Sequence, residues 1–241
     1  MNAKIVRPVV WVTGAGRGIG KEIAKSFAQI GSKVVLTSRS EGELVKVQKE
    51  IIDYGGEAHV FKCDVSNEKE VKAAHRKIFK KLGTVQILIN NAGKTSFNKF
   101  ESTPLKEFDT IIDVNLRGPF LCISEVLPGM ISQRGGWIFN IGSVVAVKTF
   151  QKSAAYTAAK TGLIAMSNVL REEVRKYNIK VVNVLPGATA TTIWSKADLR
   201  KYSQRMMDPQ TVAEAVVSIY RQGKRAVVEQ VVIRSILGDL D

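Results

Sequence analysis

Tyr156 and Lys160 stand four residues apart in Tyr156-Thr157-Ala158-Ala159-Lys160, so a helix there presents a phenol and an ammonium on one face. A nearby ammonium lowers a phenol's pKa from about 10 toward working pH, which equips the phenol to give a proton to a developing alkoxide. Thirteen residues upstream, Ser143 follows Gly142 at the end of an apolar run. The carboxyl edge of a strand is where open α/β sheets place their ligands. The Tyr/Lys pair alone equally describes the polar side of an amphipathic helix, so other residues must decide.

A glycine-rich turn offers the second piece of chemistry. The run Thr13-Gly14-Ala15-Gly16-Arg17-Gly18-Ile19-Gly20 follows the apolar stretch Val9–Thr13 and precedes Ile23, Phe27 and Ile30 at helical spacing. Glycines let the backbone approach a pyrophosphate, which then sits on the amides at the helix N-terminus. The spacing is not G-x-G-x-x-G, and a turn that merely packs tightly remains the alternative. At the end of the next strand, where an acid would accept a hydrogen bond from an adenosine ribose, the chain has Thr37-Ser38-Arg39. Arg39 can form a charge-assisted contact with a ribose 2′-phosphate, and Arg17 can reach the same side. That favours NADP(H) over NAD(H), against the alternative of two ordinary surface arginines.

These groups need a scaffold, and the periodicity supplies one. Strands are expected at Val9–Thr13, Lys33–Thr37, Ala58–Cys63, Ile87–Ile89, Trp137–Ile141, Lys180–Leu185 and Ala226–Ile233. Helices are expected at Gly20–Ile30, Glu43–Tyr54, Glu68–Leu82, across Pro104–Ser132, at Ser153–Tyr177, and from Pro209 to Gln222, ended by Gly223. Strict alternation of continuous Val/Ile runs with helices implies a Rossmann-type α/β fold, a doubly wound sheet of about seven parallel strands with helices on both faces. No linker, repeat or low-complexity tract interrupts the chain, so residues 1–241 read as a single domain. Between Ala188 and Asp208 a lid is expected. There Leu199, Tyr202 and Met206 form an apolar stripe with Ile193 and Trp194, and Lys196, Arg200, Lys201 and Arg205 form a basic opposite face.

Composition restricts the function classes. The 241 residues carry Lys+Arg 36 against Asp+Glu 22, a formal charge of +14, with 45% apolar and 24% charged residues. The longest apolar-rich stretch, Gly135 to Val147, falls short of the roughly 20 residues a spanning helix needs, and no signal-peptide pattern opens the chain. A cytoplasmic protein without membrane partner is the reading. Basic residues are spread in short clusters, such as Lys77, Lys80, Lys81 and Arg171, Arg175, Lys176, which read as solvated helix faces and argue against a nucleic-acid partner. Cys63 and Cys122 lie in apolar contexts with no metal-type spacing, and read as buried thiols.

Taken together the motifs resemble the short-chain dehydrogenase/reductase family, in its compact single-domain branch. The matching residues are TGAGRGIG at 13–20, Asp64-Val65, NNAG at 90–93, Asn115, Gly142-Ser143, YTAAK at 156–160 and PGATAT at 186–191, in the family's order. The resemblance implies that Gly14, Gly16, Arg17, Gly18, Ile19 and Gly20 form the pyrophosphate turn and that Ser38 and Arg39 meet the ribose. It implies that Asp64 and Val65 border the adenine, that Asn91, Ala92 and Gly93 line the cofactor, and that Pro186, Gly187, Thr189 and Thr191 orient the nicotinamide. Asn115, Ser143, Tyr156 and Lys160 are the implied catalytic residues: a water-holding relay, a carbonyl hydrogen-bond donor, a general acid, and a ribose anchor that lowers the Tyr156 pKa. The implied substrate is a small-molecule carbonyl compound or an acyl thioester. The implied assembly is a homo-oligomer, tetramer or dimer, through the helices of 104–132 and 153–177. Similarity to 3-oxoacyl-(acyl-carrier-protein) reductases stops after the last strand, where VVIRSILGDLD replaces their glycine-rich segment. A non-catalytic NADP(H)-binding regulatory protein is the alternative, although such a protein needs neither Ser143 nor Tyr156.

Overall fold

A computed structural model describes residues 7–222 and 226–240. Seven strands form one parallel sheet, as the alternation predicts, and their order is β3-β2-β1-β4-β5-β6-β7. They are β1 (Val9–Thr13), β2 (Lys33–Ser38), β3 (Glu57–Lys62), β4 (Ile87–Asn90), β5 (Gly136–Ile141), β6 (Ile179–Pro186) and β7 (Gln230–Ile233). The order reverses between β1 and β4, the switch point at which a doubly wound sheet leaves a crevice outside its carboxyl ends.

Helices cover both faces: α1 (Gly18–Gln29), α2 (Glu41–Asp53), α3 (Glu68–Leu82), α4 (Leu105–Ile112), α5 (Gly118–Gln133), α6 (Ala154–Val174), α7 (Lys196–Tyr202) and α8 (Pro209–Tyr220). Strand periodicity divides the core. Val10 and Val12 face one cluster with Ile23 and Phe27 of α1 and Val216 of α8, while Val9 and Trp11 face the other with Ile78 of α3, Val126 of α5 and Leu170 of α6. Cys63 and Cys122 are buried in this second cluster, and burial pushes both thiols up, Cys63 to about 12. Among the described residues no helix is long and apolar enough to cross a membrane.

Several expectations need correction. The helical region 104–132 is interrupted by a π-turn, Asp113–Arg117, which holds Asn115 fully buried. The last strand begins at Gln230 rather than Ala226, and α8 ends at Tyr220; Gly223, its expected terminator, lies outside the described residues. The lid helix stops at Tyr202, so Met206 is not on its stripe but is buried in extended backbone after a 3-10 turn, while Leu199 and Tyr202 are half-buried. Arg171 is not part of a solvated face. It is 7% exposed and donates to the carbonyls of Val181 and Glu229 at 3.0 Å each, which satisfies a guanidinium that burial would otherwise strand. Leu163 and Leu170 belong to the chain's own core, whereas Phe120 is 54% exposed on α5.

Candidate active site

Helix α6 is fixed on the sheet by polar contacts within an apolar layer. Asn90 donates to Asn140 (2.8 Å), Asn140 donates to Ser167 (2.8 Å), and Ser167 donates to the Leu163 carbonyl (2.6 Å). Ser167 lies two turns after Lys160, so this seam holds the helix face from which Lys160 projects. Sequence reading gives no role to Asn90, Asn140 or Ser167. The available signal was an asparagine inside each of two otherwise apolar strands, Ile87–Asn90 and Trp137–Ile141.

Above the seam, Ser143, Tyr156 and Lys160 converge beyond the carboxyl end of β5. Gly142 donates to the Val184 carbonyl (2.7 Å), which turns the chain so that Ser143 opens a short 3-10 segment and accepts from Val145 N. The Lys160 ammonium is 4% exposed, donates to the Ile141 carbonyl (2.8 Å) and stands 5.7 Å from the Tyr156 ring centroid. Desolvation brings the Lys160 ammonium down to about 8 and pushes the Tyr156 phenol up to about 12, with the nearby Ser143 hydroxyl opposing the latter shift. The net shift of the phenol is thus upward, against the expected lowering, and the Lys160 ammonium is engaged by the Ile141 carbonyl.

Asn115 joins the group through Gly93. A side-chain carbon on Gly93 would lie 3.1 Å from Asn115 Oδ1 and 3.9 Å from Lys160 Nζ. Asn115 Nδ2 donates to the Lys94 and Ile111 carbonyls, at 2.7 and 2.9 Å, and Oδ1 accepts from Lys94 N. Its amide is thus committed to shaping the chain after β4.

The glycine turn packs as closely as its composition suggests. Gly14 has φ +64, and a side-chain carbon there would approach Ala92 Cα to 2.8 Å; one on Gly20 would approach Asn91 Nδ2 to 2.3 Å. Asn91 holds the turn by donating to the Thr13 and Gly14 carbonyls, while Thr13 Oγ1 accepts from the amides of Asn91 and Ala92. Helix α1 starts at Gly18 with no side-chain cap and no acid in its first turn, and the amides of Gly18, Ile19 and Gly20 make no hydrogen bond among the described residues. Uncapped amides on a glycine turn fit a pyrophosphate. Thr191 touches this turn, since a side-chain carbon on Gly18 would lie 3.0 Å from its methyl group.

At the ribose end, the exposed Arg39 guanidinium makes no hydrogen bond or ion pair among the described residues, while Ser38 donates to the Ser40 carbonyl. An acid is present after all. Glu43, in the first turn of α2, pairs with Arg17 at 3.3 Å, and its Oε2 lies 3.0 Å from where a side-chain carbon on Gly16 would sit. Four residues beyond Arg39, it is brought beside the turn by the tight β2–α2 connection. After β3, Asp64 Oδ1 accepts from Ser66 N and Oγ, and Val65 packs beneath Gly118.

Pro186 and Gly187 lie at the end of β6, with Gly187 N donating to the Ile233 carbonyl. The following loop is closed at its neck by Thr189 bridging Met207, and Trp194 Nε1 donates to the Thr189 carbonyl (3.1 Å). Trp194 also stacks on Phe97 of the chain after β4, with centroids 6.0 Å apart and planes 19° apart.

This arrangement has close counterparts. The family model described as short chain dehydrogenase matches residues 8–201. The chain belongs to the short-chain dehydrogenase family. Sepiapterin reductase of Chlorobaculum tepidum is 32% identical over 98% of this chain and 99% of its own length. A metagenomic short-chain oxidoreductase, solved in complex with NADP, superposes with a TM-score of 0.85 at 32% identity, covering 95% of this chain and 98% of that one. A single-substitution variant of actinorhodin polyketide ketoreductase, solved with NADPH, superposes with a TM-score of 0.90 at 28% identity, over 97% and 98% of the two chains. As a short-chain dehydrogenase the chain is an oxidoreductase, and its Ser143, Tyr156 and Lys160 stand together at the switch-point end of the sheet.

Proposed function

We propose that the protein is an NADPH-dependent reductase that converts a ketone or 3-oxoacyl carbonyl into a secondary alcohol, with Tyr156 as general acid. The observation that carries this reading is the convergence of Ser143, Tyr156 and the buried Lys160 beyond β5. When bound, the nicotinamide supplies hydride to the carbonyl carbon. Ser143 donates a hydrogen bond to the carbonyl oxygen, where negative charge grows. Tyr156 transfers its proton to that oxygen; a phenol that keeps its proton through the physiological range suits reduction better than alcohol oxidation. Lys160 binds the nicotinamide ribose and restores charge near the phenolate. The first-turn amides of α1 hold the pyrophosphate and Arg39 the 2′-phosphate. NADPH oxidation across 3-oxoacyl thioesters, small ketones and sugar ketones tests the reading; turnover of none would count against it.

The NADP(H)-bound neighbours and the unengaged Arg39 support the cofactor choice. Glu43 works against it, by neutralising Arg17 and repelling a 2′-phosphate. Fluorescence titration should find NADPH bound more tightly than NADH, with Arg39→Ala weakening NADPH about tenfold. Glu43→Gln should tighten NADPH severalfold and move NADH little. Equal dissociation constants for the two cofactors would refute the assignment.

The loop from Ala188 to Asp208 acts as a substrate lid on a single domain, a reading supported by its contacts with Gly18 and Phe97. A homo-oligomer, tetramer or dimer, is favoured by exposed apolar residues on the long helices, Phe120 at 54% and Val169 at 62%. Light scattering should give a mass above the monomer at micromolar concentration, and the monomer mass would reject the assembly.

A further inference from the structure

Residues 234–240 follow β7 and return to the edge of the site. Arg234 lies against Gly187, and five residues later the Asp239 side chain is only 7% exposed. Its Oδ2 accepts from Lys148 Nζ at 2.9 Å and faces Arg234 Nη1 at 3.6 Å, while its main-chain carbonyl accepts from Arg205 Nη2 at 2.9 Å. The three cations come from three segments. Lys148 stands five residues after Ser143, Arg205 closes the loop that begins at Thr189, and Arg234 leaves β7. Arg205 is thereby taken out of the solvated basic face of the lid.

A carboxylate this buried is costly without cations, so the position of residue 239 is fixed by Lys148 and Arg234. Once fixed, its carbonyl is presented to Arg205. The lid's neck, its Trp194–Phe97 stack and the approach of Thr191 to Gly18 do not reach the Ser143 segment.

We propose that Asp239 is a positioning residue that ties the 189–207 loop to the segment bearing Ser143 and so sets the mouth through which the carbonyl substrate enters. The tie is a statement about loop geometry, and its effect on substrate rests on the reductase reading above. It touches neither the glycine turn nor Arg39 itself; any effect on the cofactor passes through Thr189 and Thr191 of the same loop.

Asp239→Asn and Lys148→Met each break the tie from a different side, and Asp239→Glu restores the charge. Trypsin cleavage at Lys196, Arg200, Lys201 and Arg205 should accelerate severalfold in the first two variants, at a temperature well below every variant's melting point, and return toward the native rate in the third. With a ketone substrate at saturating NADPH, KM should rise about fivefold in Asp239→Asn with kcat within twofold of the native value. Unchanged cleavage in both variants would overturn the tie. Faster cleavage with unchanged KM would overturn its role at the mouth. A protein inactive on every ketone that still shows faster lid cleavage in the variants would overturn the reductase reading and uphold the tie.

Discussion

Tyr156→Phe should lower turnover by at least two orders of magnitude while leaving NADPH affinity within a fewfold of native. General acid catalysis is typically worth about 10²–10⁴-fold, and the substitution removes one oxygen without opening a cavity. Burial raises the phenol's pKa to about 12, so it stays protonated across the pH range of an ordinary assay. Ser143 remains to bind the carbonyl, so the substrate KM should move less than kcat. A Phe variant retaining half the native rate would remove Tyr156 from the acid role.

Lys160→Met should combine a loss of activity with a gain in stability. Turnover and cofactor affinity both fall, because Lys160 is assigned the ribose as well as the electrostatics of the phenol. Stability moves the other way, since desolvation takes the ammonium from the ordinary 10.5 to about 8. Below pH 8 both folded and unfolded chains carry the charge, and the folded state bears the full cost, about 3 kcal/mol before the hydrogen bond to Ile141 is credited. Between pH 8 and 10.5 the folded state sheds its proton first, so the native chain recovers stability as pH rises. The Met variant has no such titration. Its melting point should exceed the native one by a few degrees at pH 7, at about 2–4 °C per kcal/mol, with the gap closing toward pH 10. A variant less stable than native at pH 7 would show that Lys160 contributes more through packing and its bond to Ile141 than burial costs.

The seven parallel strands, their alternation with helices and the Tyr156–Lys160 pair were legible because each rests on local pattern. Continuous apolar runs specify buried parallel strands, and Tyr156 and Lys160 share a face by helical geometry alone. What escaped reading depends on tertiary approach. Glu43 lies in a helix turn that nothing in its own neighbourhood marks as part of the ribose site, and its pairing with Arg17 exists only because α2 folds back beside the glycine turn. Asp239 looks like one acid among apolar and glycine residues, until Lys148 and Arg205, 91 and 34 positions away, come to it. The π-turn at Asp113–Arg117 sits within a run read as one helical region, yet it delivers Asn115 to the chain after β4. The direction of the phenol's shift was not legible for a related reason: spacing reports that two groups are neighbours, while burial and the Ser143 hydroxyl act on the phenol only in the fold.

The most direct measurement is a single turnover with NADPH carrying deuterium at the transferable position, on a ketone that the enzyme reduces, with the product followed by mass spectrometry. The reductase account predicts one deuterium on the carbinol carbon for each NADPH oxidised in the native enzyme, and almost no product on the same timescale with Tyr156→Phe. NADPH that binds but stays reduced with every ketone offered would contradict it, and would describe a protein that senses the dinucleotide without using it.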